Sequence, residues 1–303
     1  MLQKSEFFNP IDKSEQDSEF IAMEPRSFWH DVWDRFRSNR RALIGLIVLL
    51  FIVLLAVIGP FFSPYPYDGM GTEVNCGPSA AHWFGTDALG RDLFTRVLYG
   101  IRISLFVGFV STLINCAIGV LYGGVAGYVG GRVDAVMMRF VDVLYAVPSL
   151  LYIILLMMMF GSNVGSIMVG MCISGWVGIA RLMRTQVISL KGREYVLAAY
   201  TEGAGPARIL FKHMFSNAMS PILVQATLAI PQAIFQEAFL SFIGMGISAP
   251  QASLGTLAQD ARMYMAIYPH QMICPIAMIC IIIFALNFIS EGLSEALDPT
   301  NSR

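Results

Sequence analysis

Two acidic side chains lie inside long apolar stretches of the sequence. Asp142 falls within residues 136–160, and Glu237 falls within residues 220–245. An ionisable group in such surroundings either takes part in proton or substrate movement or is held by a fixed partner. We expect Asp142 to pair with Arg139 or with a neighbouring helix. We expect Glu237 to pair with one of four arginines predicted to share its end of the molecule, namely Arg91, Arg96, Arg102 and Arg262.

The sequence carries no pattern for a catalytic or metal centre. The four histidines and five cysteines are scattered singly, without the i, i+4 histidine pair of a helical zinc site and without a Cys-x-x-Cys. No Gly-x-x-x-x-Gly-Lys-Ser/Thr sequence occurs, so the chain has no P-loop for ATP. We therefore predict no catalytic residue, no metal ligand and no cofactor in this chain.

The composition indicates a membrane protein with several spans. Of the 303 residues, 56% are hydrophobic and 14% are charged, which is unlike ordinary soluble domains. A helix of about 20 apolar residues crosses the ~30 Å hydrocarbon core of a bilayer. By this measure the sequence predicts an all-α fold with six membrane-spanning helices, at about 42–62, 103–128, 136–160, 164–182, 220–245 and 272–293.

Basic residues are concentrated on one side of the predicted spans. Sixteen of the 20 Lys and Arg residues fall in, or within a few residues of, the segments that six spans place on the same side as both termini. Because Lys and Arg near spans are retained in the cytoplasm, both termini are predicted to be cytoplasmic. Residues 1–41 then form a tail whose amphipathic helix lies on the inner membrane surface. Residues 42–303 form the six-span domain, with outer loops 63–102 and 246–271.

The first outer loop contains a second amphipathic pattern. Thr86 or Asp87 can cap a helix whose apolar side chains recur every four residues, at Leu89, Leu93, Val97 and Ile101. An Asp92–Arg96 pair at i, i+4 would add only about 0.3–0.5 kcal/mol. We predict a separate helix on the outer membrane surface.

Glycines recur every fourth residue in the second predicted span, at Gly119, Gly123, Gly127 and Gly131. Such a stripe lets two helix backbones approach closely. Both packing within this chain and contact with a partner chain fit the pattern.

The most sustained polar run between long apolar segments is the loop 183–217. Glu194 to Glu202 is predicted to be a helix with one smooth face of small residues, including Ala199 and Gly203. The Gly-Ala-Gly-Pro sequence that follows breaks this helix, and Pro206 suits the first position of a second short helix, Ala207 to Phe215. Small side chains and a turn are suited to docking in a groove of another protein, whereas an ordinary connecting loop is the alternative.

Several residues of this loop, Ala198-Ala199, Gly203, Arg208-Ile209 and His213, resemble the EAA loop of bacterial ABC-importer permeases. Leu197 stands where many members have the glutamate that names the motif. The block Phe84-Gly85-Thr86-Asp87, with Leu89-Gly90-Arg91-Asp92, is similar to a signature of the dipeptide and oligopeptide branch. With further matches near both ends, the resemblance covers nearly the whole chain from Phe28 onward.

The resemblance implies a type I ABC-importer permease in the bacterial cytoplasmic membrane. Its implied partners are a second homologous permease subunit, two ATPase subunits that bind ATP and Mg²⁺, and an extracytoplasmic solute-binding protein. The residues implied to couple this chain to the ATPases are Glu194, Ala198, Ala199, Gly203, Ala204, Gly205, Arg208 and His213. The implied function is to form half of the channel of an ATP-driven importer of dipeptides or oligopeptides.

Two other functions fit the sequence. A permease of the same family could carry nickel or another small solute, because substrate choice rests largely with the binding protein. A self-sufficient transporter could use Asp142 and Glu237 as a proton relay. In a peptide channel, Glu237, Asp142, Arg91 and Arg96 are candidates for the channel or its gate, and Glu237 could instead attract the amino terminus of a peptide.

Overall fold

The computed structural model describes residues 28–298, which fold almost entirely as helices. Within these residues there is no β-strand, and a single isolated bridge joins Thr86 to Asp92. The helices in chain order are α1 (Phe28–Ser38), α2 (Arg40–Phe62), α3 (Leu93–Val129), α4 (Gly131–Ala146), α5 (Ser149–Phe160), α6 (Val164–Ser174), α7 (Val177–Leu190), α8 (Glu194–Thr201), α9 (Pro206–Phe242), α10 (Leu254–Ala261) and α11 (His270–Leu297).

Five helical segments are long and apolar enough to cross a membrane: α2, α3, the α6–α7 segment, α9 and α11. A sixth crossing results if α4 and α5 form one span, although they meet at a bend of 77°. The bend follows from Pro148, which lacks an N–H and disfavours helical geometry at Val147 before it. The predicted all-α fold is confirmed, whereas the third predicted span, 136–160, is broken rather than continuous.

Helix α3 corrects the predicted outer loop 63–102. Its 37 residues begin at Leu93, so the predicted surface helix and the second span form one rod about 55 Å long. Asp92, rather than Thr86 or Asp87, caps the helix by accepting a hydrogen bond from the N–H of Thr95 at 2.8 Å. No break occurs near residue 102 because Leu93, Val97 and Ile101 of the apolar stripe are buried and the stripe continues directly into the span, whereas Leu89, before the helix, is exposed.

The glycine stripe of α3 packs against α7 of the same chain. A Cβ at Gly119 would lie 2.8 Å from the carbonyl oxygen of Trp176, and one at Gly127 would lie 2.8 Å from that of Arg184. A Cβ at Gly123 would collide with the backbone of Ala180. Three of the four predicted glycines therefore serve close helix contact within this chain, whereas Gly131 begins α4 and has no atom of residues 28–298 within 4 Å of a Cβ placed on it.

The loop predicted at 183–217 is largely helical. Helix α7 continues to Leu190, and the second short helix predicted at Ala207–Phe215 is instead the beginning of the long α9. Residues Ile209–Met214 adopt a π-helical turn inside that rod. Helix α9 begins before the predicted span because Ile209, Leu210 and Met214 are buried against α7. The apolar face of α9 that packs on the core therefore starts at these residues.

Helix α1 and the end of α11 pack together. Val32 and Phe36 are buried in a cluster with Ala296 and Leu297. The side-chain amide of Asn39 donates to Glu295 at 2.7 Å. The tail predicted at 1–41 therefore contains the expected helix, and its residues 1–27 lie outside the described part of the chain.

Antiparallel packing of α3 on α9 defines two ends of the bundle. The first end, called the α8 end, carries α8 and the start of α9. The second, called the long-loop end, carries residues 63–92 and 243–269, and there Ser104 of α3 contacts Glu237 of α9.

Candidate functional site

Helix α8 ends in a turn that only glycine accommodates easily. The N–H of Ala204 donates to the carbonyl of Ala199 and the N–H of Gly203 donates to that of Tyr200, each at 3.0 Å. This Schellman pattern places the residue after the cap in the left-handed region, and Gly203 has a φ of +83°. Gly205 then caps α9 and Pro206 occupies its first turn, as predicted.

One face of α8 is buried and the other is exposed. Val196 packs in a cluster that includes Ile209, Leu210 and Met183, and Ala199 is also buried. Leu197 and Tyr200 point outward and are 54% and 70% exposed. Apart from its chain neighbours, no part of residues 28–298 comes within 4 Å of a Cβ placed at Gly203. The turn is thus a smooth, accessible surface.

The predicted coupling residues divide between these two faces. Ala199, predicted to face a partner, is buried, because the packing of α8 on the core uses the same small side chain. Ala204 and His213 are partly buried. The remaining five are exposed: Glu194, Ala198, Gly203, Gly205 and Arg208. The surface left for a partner consists of these residues with Leu197 and Tyr200.

A buried ion cluster lies at the long-loop end. Asp87 Oδ2 accepts from Nε of Arg91 at 2.7 Å and from Nη1 of Arg96 at 2.5 Å. Asp87 Oδ1 accepts the backbone N–H groups of Leu89 and Arg91 at 2.8 and 3.0 Å. The predicted Asp92–Arg96 pair is wrong, because Asp92 caps α3 and contacts His82 Nδ1 at 2.8 Å.

The two acids of this cluster have pKa values shifted in opposite directions. Burial raises the pKa of Asp87, but backbone N–H donation from Arg91 and Leu89 and the charges of Arg96 and Arg91 lower it more, so the net pKa is lowered. Burial raises the pKa of Asp260, and the two arginines only partly offset this because its Oδ2 lies 3.8 Å from Arg96 Nη2 and 3.9 Å from Arg91 Nη2. Asp87 is the firmly bound counter-ion.

Glu237 is buried and bonded to hydroxyl groups. Ser104 donates to its Oε2 at 2.8 Å and Ser241 donates to its Oε1 at 2.9 Å. Ser253, which caps α10, donates in turn to Ser241 at 3.2 Å. The predicted arginine pairing is wrong for the described residues. Arg91 and Arg96 are engaged by Asp87, Arg102 donates to the carbonyls of Ala56 and Val57, and Arg262 stacks on Phe242. Serines are uncharged, so the sequence does not mark them as partners of Glu237. The pattern Ser253-x-x-Thr256, which forms a capping box, could have indicated the start of α10.

Asp142 pairs with a neighbouring helix, as predicted. Its Oδ1 accepts from Nη2 of Arg181 on α7 at 2.8 Å, and both side chains are about half exposed. A second pair on the same helices, Asp134 with Arg184, was not predicted. Arg181, the partner of Asp142, follows Ala180, which packs on Gly123 of α3. Glu237 contacts Ser104, 19 residues (about 28 Å) earlier on α3, so the structure does not bring the two acids of the hypothetical proton relay together. Within residues 28–298, no three His, Cys, Asp or Glu side chains are grouped to hold a metal ion.

Two family models together match most of this chain. Residues 119–303 match the family described as binding-protein-dependent transport system inner membrane component. Residues 27–78 match the N-terminal TM domain of oligopeptide transport permease C.

Two relatives from Bacillus subtilis (strain 168) align along nearly the full length. The chain is 46% identical to the oligopeptide transport system permease protein OppC over 293 residues, which are 96% of each protein. It is 47% identical to the dipeptide transport system permease protein DppC over 296 residues, 97% of this chain and 92% of the relative. The OppC of Escherichia coli (strain K12) is 39% identical over 285 residues, 93% of this chain and 94% of the relative.

A solved structure shares the fold. The inward-facing MetNI methionine ABC transporter superposes with a TM-score of 0.54 at 19% identity, covering 67% of this chain and 96% of that one. The fold is thus that of an ABC-importer permease. Together with the family match over residues 119–303, these findings mean that the chain belongs to the family of inner membrane components of binding-protein-dependent transport systems.

Proposed function

We propose that this chain is the permease subunit of an ATP-driven importer of dipeptides or oligopeptides. The observation that carries the proposal is the near full-length identity, 46–47%, to relatives named as oligopeptide and dipeptide transport permeases. In this assignment the chain forms half of a channel with a second, homologous permease subunit. A solute-binding protein delivers the peptide at the long-loop end, which faces away from the cytoplasm.

The energy comes from partner subunits in this proposal. The sequence contains no P-loop, so ATP and Mg²⁺ belong to two ATPase subunits. These dock on the exposed face of α8, where Leu197, Tyr200 and the open Gly203 turn offer an apolar and sterically unobstructed surface. Both chain termini then lie in the cytoplasm, on the side with most basic residues.

Uptake in the native host tests the proposed substrate. A strain lacking this chain should lose uptake of radiolabelled trialanine, and the wild-type chain should restore it. Uptake of radioactive nickel by the same strains is the control. Loss of nickel uptake with normal peptide uptake would contradict the proposal and favour a nickel permease.

Purification tests the proposed partners. A tagged chain extracted in mild detergent should bring with it a second permease and two ATPase subunits, and ATP hydrolysis should disappear when the ATPases are stripped away. Peptide uptake by the purified chain alone in liposomes, driven by a proton gradient, would refute the assignment.

A further inference from the structure

Two guanidinium groups at the long-loop end share one closely bound carboxylate. Arg91 and Arg96 both donate to Asp87, at 2.7 and 2.5 Å. The second acid, Asp260, stays 3.8–3.9 Å from both, about 1 Å beyond a charge-assisted hydrogen bond. Nε of Arg96 is buried and has no hydrogen-bond partner among residues 28–298. The pair therefore retains N–H donors and positive charge that the protein does not use.

Arg96 lines two cavities, and Arg91 lines one of them. One has a volume of about 330 Å³ and is bounded by Arg91, Arg96 and Asp260 together with apolar side chains, among them Leu89 and Leu257. The other, of about 270 Å³, is lined by Arg96 and Asp260 with hydroxyl and amide groups. Because the Asp260 side chain is 48% exposed, the cavities reach the surface.

The arginines are fixed before any ligand arrives. The side chains of Arg91 and Arg96 are only 10% and 3% exposed, and Asp87 orients both. A guanidinium held in this way can offer two parallel N–H groups to a carboxylate without losing side-chain entropy on binding. This part of the long-loop end thus combines a preorganised carboxylate receptor with an adjoining apolar wall.

We propose that the cavity beside Arg91 and Arg96 binds the C-terminal carboxylate of a peptide. The side chain of the terminal residue then lies against Leu89, Leu257 and Tyr264, which line the same cavity. Asp260 is the counter-charge that the peptide carboxylate replaces. This inference rests on the proposed function, because it takes the transported solute to be a peptide.

Asp260 is suited to being replaced. Its pKa is raised, chiefly by partial burial, so its ionised form is poorly stabilised where it stands. It also contributes no hydrogen bond of normal length to the arginines. Removing its charge should therefore strengthen binding of a carboxylate while leaving the Asp87 contacts intact.

The test compares trialanine with trialanine amide, which differ only at the terminal carboxylate. Dissociation constants are measured by calorimetry on the purified transporter without its solute-binding protein. Coulomb's law for unit charges about 5 Å apart in surroundings close to water gives on the order of a fourfold effect. Asp260→Asn should lower the Kd of trialanine about fourfold and leave the Kd of the amide unchanged.

Two further variants test whether the preference for the free acid depends on Arg91. Arg91→Gln should abolish the preference for the free acid over the amide. Arg262→Gln, which removes an arginine at the same end that stacks on Phe242 instead, should preserve it. Thermal unfolding of each variant identifies any that is misfolded.

The inference is overturned if Asp260→Asn changes both Kd values equally or neither, because a purely structural role makes no distinction between acid and amide. Equal affinity of the wild-type transporter for both peptides would overturn it as well. Failure of the proposed function looks different, since cells with the wild-type chain would then take up no trialanine at all.

Discussion

Substitution of Gly203 tests docking on α8 directly, because it is expected to disturb a docked partner without unfolding this chain. The residue has a φ of +83°, and a Cβ there meets no atom of the described chain within 4 Å beyond its neighbours. Substitution therefore costs only the left-handed backbone conformation, about 1 kcal/mol. Against a typical stability of about 5–15 kcal/mol, the variant stays folded.

An aspartate at this position has a larger effect on a docked partner. Burying an unpaired charge in an interface costs about 3–5 kcal/mol, which is more than a hundredfold in affinity. Gly203→Asp should insert normally, lose its ATPase subunits during purification and lose peptide uptake. Gly203→Ala should retain most of both, because a methyl group is small and uncharged.

The matched control is Gly161, which has the same φ of +83° and only Asn163 Nδ2, at 3.9 Å, near its Cβ. Gly161→Asp carries the same backbone cost and the same charge at a turn outside α8. Equal ATPase retention and equal uptake in the two aspartate variants would refute the docking argument.

Three further outcomes follow from the packing and charges. Gly123→Ala should lower the thermal stability by about 1–3 kcal/mol, because its Cβ would meet the backbone of Ala180. Gly178→Ala, on α7 in open space, should instead be neutral or slightly stabilising, and equal effects of the two would contradict close helix contact. Glu237→Ala should cost about 2–5 kcal/mol and raise basal ATP hydrolysis of the assembled transporter, whereas Glu237→Gln should retain most stability. Unchanged stability in Glu237→Ala would show that the serine contacts do not matter. Because the pKa of Asp87 is lowered on folding, its stabilising contribution should be complete above its usual pKa of about 3.9 and disappear as the pH falls through the lower folded value. In Asp87→Asn that part of the acid-induced loss of thermal stability should be absent, and an unchanged acid profile would contradict the assignment.

Hydropathy predicted the approximate positions of the apolar helices because it measures the one property that the bilayer imposes on every spanning helix. It could not locate where helices continue beyond the bilayer. Helix α3 extends past the predicted boundary because burial of Leu93 and Val97 by other parts of the chain substitutes for burial in lipid. The broken α4–α5 span was missed for a related reason, since the effect of Pro148 depends on whether neighbouring helices keep the rod straight.

The partners of charged side chains were harder to predict than the helices. The sequence spacing favoured Asp92 with Arg96, but Asp92 is used by the N-terminus of α3 and the loop turn brings Asp87 to the arginines instead. Capping and pairing compete for the same carboxylates, and the turn geometry decides between them. Charge alone favours an arginine for Glu237, whereas its partners are uncharged serines, one of them, Ser104, 133 residues away and the other, Ser241, one helical turn along α9.

Helix α9 joins the two candidate functional regions through direct contacts. At the α8 end, Ile209 and Leu210 pack with Val196 of α8, so a force on α8 acts on the start of α9. At the other end, Glu237 links α9 to α3 through Ser104, and Ser241 links it to α10. A displacement of α8 would therefore move the start of α9, which carries contacts to α3 and α10 at its other end. The hydroxyl contacts of Glu237 resist that displacement, which is the physical reason that Glu237→Ala is expected to change ATP hydrolysis as well as stability.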